Sequence, residues 1–171
     1  MAELDHPQLY LITPSEFELA EFSTQLATVL DAHNVACVRL TMATTDEDRI
    51  AKSADALREL IHARDVALVI DSHILLAERL GLDGVHLRDG ARTVRHARKI
   101  LGADAIVGSY CAASRHDGMT AAESGADYVS FGPIGETPLG DGGVVDHEVF
   151  EWWSEMIEVP VVAEGALDVD L

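Results

Sequence analysis

A chain of 171 residues with 48% hydrophobic side chains is long enough to bury about 70% of its unfolded surface as one domain, 1–171, without disulfide or metal staples. Its 30 acids against 12 Lys and Arg give a formal charge of −18, which argues against nucleic acid or anionic membrane as a partner. No apolar run nears the roughly 18 residues of a membrane span, the start Met1 to Asp5 has no basic or apolar leader, and the only cysteines are Cys37 and Cys111, so the chain reads as cytoplasmic with reduced thiols.

In chain order, residues 8 to 13 form a short apolar run stopped by Pro14, and from Ser15 to Asp31 Phe17, Phe22, Leu26, Val29 and Leu30 recur at helical spacing. Residues 35 to 41 make a second strand. Thr45 or Asp46 then caps a helix with acids in its first turn and Ile50, Ala54, Leu57 and Ile61 on one face. Residues 66 to 71 are apolar almost throughout, as a strand buried on both faces must be, and a helix follows from about Ile74 to Leu80. Strands are expected at 83 to 87, 105 to 109 and 127 to 132, then a helix after Asp146 carrying Val149, Phe150, Trp153 and Ile157, then a seventh strand at 159 to 164. All should be parallel.

The segments Gly81-Leu82-Asp83, Gly102-Ala103-Asp104 and Gly125-Ala126-Asp127 each close a helical stretch and open a strand, at spacings of 21 and 23 residues. Units of this length, with short apolar strands and no Gly-x-Gly-x-x-Gly after the first strand, favour an α/β fold of the TIM (β/α)8 barrel type over a doubly wound sheet. Seven strands are visible. The eighth unit is missing, and the reading expects a longer parent chain by about 25 to 40 residues. It also expects residues 166 to 171 to be poorly ordered or packed across the gap, and the open barrel edge to be covered, for example in a homo-oligomer.

In a barrel, chemistry gathers where strands end. Those positions hold Thr13, then Arg39 and Thr41, then Asp71, Ser72 and His73, then His86, Arg88 and Asp89. Ser109, Tyr110 and Cys111 follow, then the loop from Gly132 to Thr137, then Glu164 and Gly165. The carboxylates of Asp71 and Asp89 could converge on one Mg²⁺; alternatively each caps the helix that follows it. Arg88, Arg92, Arg95, Arg98 and Lys99 lie along one helix and read as a solvated face, Arg88 at the strand end excepted. No two of the eight histidines form a metal pair at helical spacing. His73 and His86 could serve as an acid, base or ligand, but His86 more simply fills the barrel.

The sequence at residues 9–14 (LYLITP), the Arg-bearing second strand, the third-strand segment ending in Asp71, Asp83-Gly84-Val85-His86-Leu87, residues 107–111 (VGSYC), Gly125-Ala126-Asp127-Tyr128 with Gly132-Pro133-Ile134, and the segment from Val159 to Leu167 together resemble the thiamine phosphate synthase and thiazole tautomerase (TenI) family. The resemblance covers nearly the whole chain. It implies a (β/α)8 barrel that couples a hydroxymethylpyrimidine diphosphate to a thiazole phosphate and releases pyrophosphate with Mg²⁺. The partners are then small phosphorylated heterocycles. On that reading Arg39, Ser109 and Thr137 are catalytic. Arg39, Arg88, Gly132, Pro133, Thr137 and Gly165 bind substrate, and Asp71 and Asp89 hold the metal.

The chain departs from the family pattern at several of these places. Family Gln-x-Arg-x-Lys on the second strand is met by Arg39-Leu40-Thr41-Met42-Ala43, and Asn-Asp-Arg after the third by Asp71-Ser72-His73. Gly-Gln-x-Asp becomes Arg88-Asp89-Gly90-Ala91, Thr-x-Thr-Lys becomes Thr137-Pro138-Leu139-Gly140, and Ile-Gly-Gly becomes Glu164-Gly165-Ala166. The reading is therefore of a diverged synthase. A non-catalytic binder of the same phosphates, or another small-phosphate barrel enzyme such as an isomerase, stands as the alternative. The tautomerase branch is set aside because Ser109, Tyr110 and Cys111 stand where a histidine base would be wanted.

Overall fold

The computed structural model describes residues 7–136 and 143–167. The chain divides into two compact units, 1–84 and 85–171.

In the N-terminal unit β1 (Leu9–Ile12), β2 (Val35–Leu40) and β3 (Ala67–Asp71) alternate with α1 (Leu19–Ala32), α2 (Glu47–His62) and α3 (Ile74–Leu80). Both strand pairs, β1 with β2 and β2 with β3, are parallel. The helical stripe read in α2 is the buried one: Ile50, Ala54, Leu57 and Ile61 are at most 1% exposed. Each large side chain so buried contributes about 1.5–3 kcal/mol. Asp46 is the cap of α2, accepting from the N–H groups of Asp48 and Arg49. The first helix begins at Leu19, four residues later than the apolar spacing suggests. Glu18 caps it by accepting from Ala20 and Glu21, which holds its carboxyl below the usual range. Phe17 sits just before that cap and packs on Phe22 with ring centroids 4.6 Å apart, a hydrophobic staple across the helix start.

In the C-terminal unit β4 (Gly84–Leu87) begins at the boundary. It is followed by α4 (Val94–Leu101), β5 (Ile106–Tyr110), α5 (Arg115–Glu123), β6 (Tyr128–Phe131), α6 (His147–Met156) and β7 (Val161–Ala163). β5 pairs with β6 and β6 with β7, again in parallel. The register aligns Tyr110 with Ser130 and Ser130 with Val162. Since strand side chains alternate between faces, Phe131 lies on the face covered by α6, where it meets Trp153 edge-on at 5.4 Å. Tyr128 and Ser130 lie on the other face.

The repeated Gly-x-Asp has a physical role in two of its copies. Asp83 exchanges backbone and side-chain bonds with Leu68: its N–H donates to the Leu68 carbonyl, and its carboxylate accepts from the Leu68 N–H. Asp127 does the same with Val107. Each carboxylate also meets a base, His62 of α2 at 2.7 Å for Asp83 and Arg98 of α4 at 2.5 Å for Asp127. Arg98 therefore departs from the solvated-face reading, because it clamps the carbonyls of Ala105 and Gly125 as well.

The strands stand within two residues of their expected limits. Of the C-terminal segment expected to be poorly ordered or packed across the gap, Ala166 lies against Gly135 and Leu167 is exposed, whereas 168–171, like Thr137, fall outside the described residues.

Candidate active site

In the N-terminal unit the ends of β1 and β2 are tied by Thr13, whose hydroxyl donates to the Thr41 carbonyl and accepts from the Thr41 N–H. The Thr13 N–H also donates to the Arg39 carbonyl, which fixes the end of β2 that carries Arg39, and Asp71 closes β3. Arg39 is 4% exposed and its Nε lies 3.4 Å from Oδ1 of Asp71, with the guanidinium 5.8 Å from the centre of the Tyr10 ring. A guanidinium and carboxylate withdrawn from water interact far more strongly than a surface pair. Asp71 is not the cap of α3, whose N-cap is His73, a residue that makes no side-chain cap bond. Ser72, with φ of 60°, makes the sharp turn between them. Beside these strand ends a cavity of about 560 Å³ is lined by Ser15, Glu16, Phe17, Met42, Ala43, Thr44 and Arg49, within the size range of small-molecule sites.

In the C-terminal unit one polar cluster dominates. His86, 1% exposed, has its Nδ1 2.7 Å from the Tyr128 hydroxyl and its Nε2 4.0 Å from the carboxylate of Glu164. The Tyr128 ring needs Gly108 beneath it, since a Cβ there would come within 2.0 Å of the ring. The Tyr110 hydroxyl donates to the Gly132 carbonyl at 2.8 Å. Gly132 is held close to β7: a Cβ on it would meet the Glu164 carbonyl at 2.0 Å, and the Ile134 N–H donates to the Gly165 carbonyl. Pro133 and Gly165 touch across this junction. The loop from 132 to 135 and the end of β7 therefore form one fixed wall.

Ser109 is fully buried and its hydroxyl donates to the Gly90 carbonyl, fixing the turn after β4 rather than standing ready as a nucleophile. Arg88 and Asp89 are exposed on that turn, where the Thr93 hydroxyl donates to Asp89. Asp89 is therefore not the cap of α4, whose N-cap is Thr93. Cys111 is buried, and burial pushes its thiol up to about 12, as it does for Cys37. Neither thiol is a nucleophile at neutral pH. Among the described residues no three His, Cys, Asp or Glu side chains group as a metal site, and no helix is long and apolar enough to cross a membrane.

Residues 9–170 match the family model for thiamine monophosphate synthase. A thiamine-phosphate synthase of Rhodospirillum centenum is 44% identical over 164 residues, covering 95% of this chain and 79% of its own length. The chain belongs to the thiamine monophosphate synthase family. A second relative of that name, from Erythrobacter litoralis, is 39% identical over 176 residues, covering 99% of this chain and 82% of its own length. The solved thiamine phosphate pyrophosphorylase of Pyrococcus furiosus superposes with a TM-score of 0.80 at 24% identity, over 95% of this chain and 77% of its own. The fold is thus of the TIM-barrel type expected from the sequence.

Within this family framework, sequence reasoning named Arg39, Asp71, His86 and Gly132 but missed Tyr128 and Ser130. The signal was the Tyr-x-Ser alternation in β6, two polar side chains on one face of a fully buried strand.

Proposed function

We propose that this chain catalyses thiamine phosphate formation. The C–O bond between the pyrimidine methylene and its diphosphate breaks with the electron pair going to diphosphate. The thiazole nitrogen then supplies its lone pair to the methylene carbon, leaving a thiazolium and free pyrophosphate. The observation that carries this reading is the buried Arg39 beside Asp71 at the strand ends. A preorganised cation in a dry site stabilises a departing diphosphate far better than one in water, and a chain of charge −18 needs such a local remedy.

The reading assigns Arg39 and the exposed Arg88 to the diphosphate, and Gly132, Pro133, Thr137 and Gly165 to the thiazole phosphate. Ser109 acts by holding the turn at Gly90. The donor chemistry suits Mg²⁺, a hard cation that commonly takes one or two carboxylates and fills its remaining positions with water and substrate phosphate. Asp71 and Asp89 would supply those carboxylates. When bound, the ion would neutralise charge on the leaving group.

The test is pyrophosphate release from the two phosphorylated precursors across a Mg²⁺ titration, with Asp71→Asn and Asp89→Asn alongside. Both variants are expected to need more Mg²⁺ for half-maximal rate. Binding of both precursors without release at any Mg²⁺ concentration would favour a non-catalytic binder instead.

A further inference from the structure

Glu164 stands where the family pattern has an apolar residue, at the end of β7, and its carboxylate is turned toward His86 at 4.0 Å with the side chain 14% exposed. A carboxylate so withdrawn from water is poorly explained as a surface residue. The face it shares carries Tyr128, held by His86, and Ser130. Ser130 is fully buried, and its hydroxyl finds no hydrogen-bond partner among the described residues. Buried hydroxyls are nearly always satisfied, so this one points to a ligand atom that is itself a donor or acceptor. An aromatic hydroxyl, a serine hydroxyl, an imidazole and a carboxylate on one wall suit a polar heterocycle that carries positive charge.

We propose that Glu164 is a catalytic residue that stabilises the positive charge arising on the heterocycle as the C–O bond breaks and the C–N bond forms, with Ser130 donating to or accepting from the same ring. The inference rests on the reaction proposed above and adds a site for the cation to that reaction's site for the leaving anion. Charge balance gives it a reason. When diphosphate leaves with the bonding pair, one positive charge remains on the organic fragment and ends on the thiazolium, with no proton lost to cancel it. A carboxylate fixed nearby favours that state over the neutral thiazole that precedes it, which is the differential binding that accelerates a step.

The test compares two probes by calorimetry on the full chain: thiazole phosphate, whose ring is neutral, and thiamine phosphate, whose ring is cationic. Glu164→Gln keeps the shape and removes the charge. It should weaken thiamine phosphate by about tenfold, given one charge interaction at partly buried distance, and leave thiazole phosphate within about twofold. Glu164→Asp, which keeps the charge, should retain most of the preference. Its retention together with an unchanged melting temperature separates charge stabilisation from a packing role. Equal weakening of both probes by Glu164→Gln, or of neither, would overturn the assignment of Glu164 while leaving the proposed reaction standing. Failure of wild-type protein to bind either probe would overturn both.

Discussion

The Tyr128 hydroxyl and Nδ1 of His86 are 2.7 Å apart, their rings stacked at 5.7 Å, and both residues are buried. This contact joins β4 to β6 within the C-terminal unit, and neither polar atom could be left without a partner cheaply. Tyr128→Phe keeps the ring over Gly108 but strands the imidazole nitrogen, so it should cost about 1–3 kcal/mol. Urea denaturation measures this, and an unchanged midpoint would mean that another group satisfies His86.

Arg39→Met keeps the length and apolar stem of the side chain and removes its charge beside Asp71. Turnover should fall by about 10²-fold or more, as when an oriented group that stabilises transition-state charge is lost. Steady-state kinetics with circular dichroism as a fold control measures it. A kcat within a factor of two of wild type would remove Arg39 from the mechanism.

The thiols give a pH prediction. Burial first, and then the Asp83 carboxylate for Cys37 and the Asp117 carboxylate for Cys111, push both up to about 12, against about 8.5 in an unfolded chain. A raised pKa means that the folded state holds its protons longer. The associated stability is fully present below about pH 8.5 and is lost as pH rises toward 12. Native protein should therefore resist a thiol reagent at pH 8 and react only on unfolding, and the denaturation midpoint should fall as pH is raised past 9. Rapid labelling of either cysteine in native protein would contradict this.

Leu57→Ala in α2 removes a side chain with no exposed surface. The loss of apolar contact together with the cavity left behind should cost about 2–5 kcal/mol. Thermal denaturation checks it, and a cost below about 1 kcal/mol would mean that the helix can collapse onto the strands.

Much of this was legible from residue types alone. The strands were readable because each is a short apolar run between punctuation, and Gly-x-Asp recurs because the Asp carboxylate takes the N–H of a neighbouring strand, as at Leu68 and Val107. The start of α1 was misplaced because Phe17 has the right spacing for the helix yet lies outside it, packed across the cap at Glu18. Arg98 was misread because a charged helix position looks solvated until the carbonyls it reaches are known. Arg39 and Asp71 were visible as strand-end polar residues, but their mutual distance was not. Tyr128 and Ser130 were hidden for another reason: on a strand buried on both faces the Tyr-x-Ser alternation does not mark which side faces a ligand.

The central claim, that this chain joins the two heterocycles, is tested most directly by incubating it with hydroxymethylpyrimidine diphosphate, thiazole phosphate and Mg²⁺ and following thiamine phosphate and pyrophosphate by mass spectrometry. The account predicts that the two products appear in equal amounts with wild-type protein and are greatly reduced with Arg39→Met. Absence of thiamine phosphate while calorimetry shows both precursors bound would contradict it.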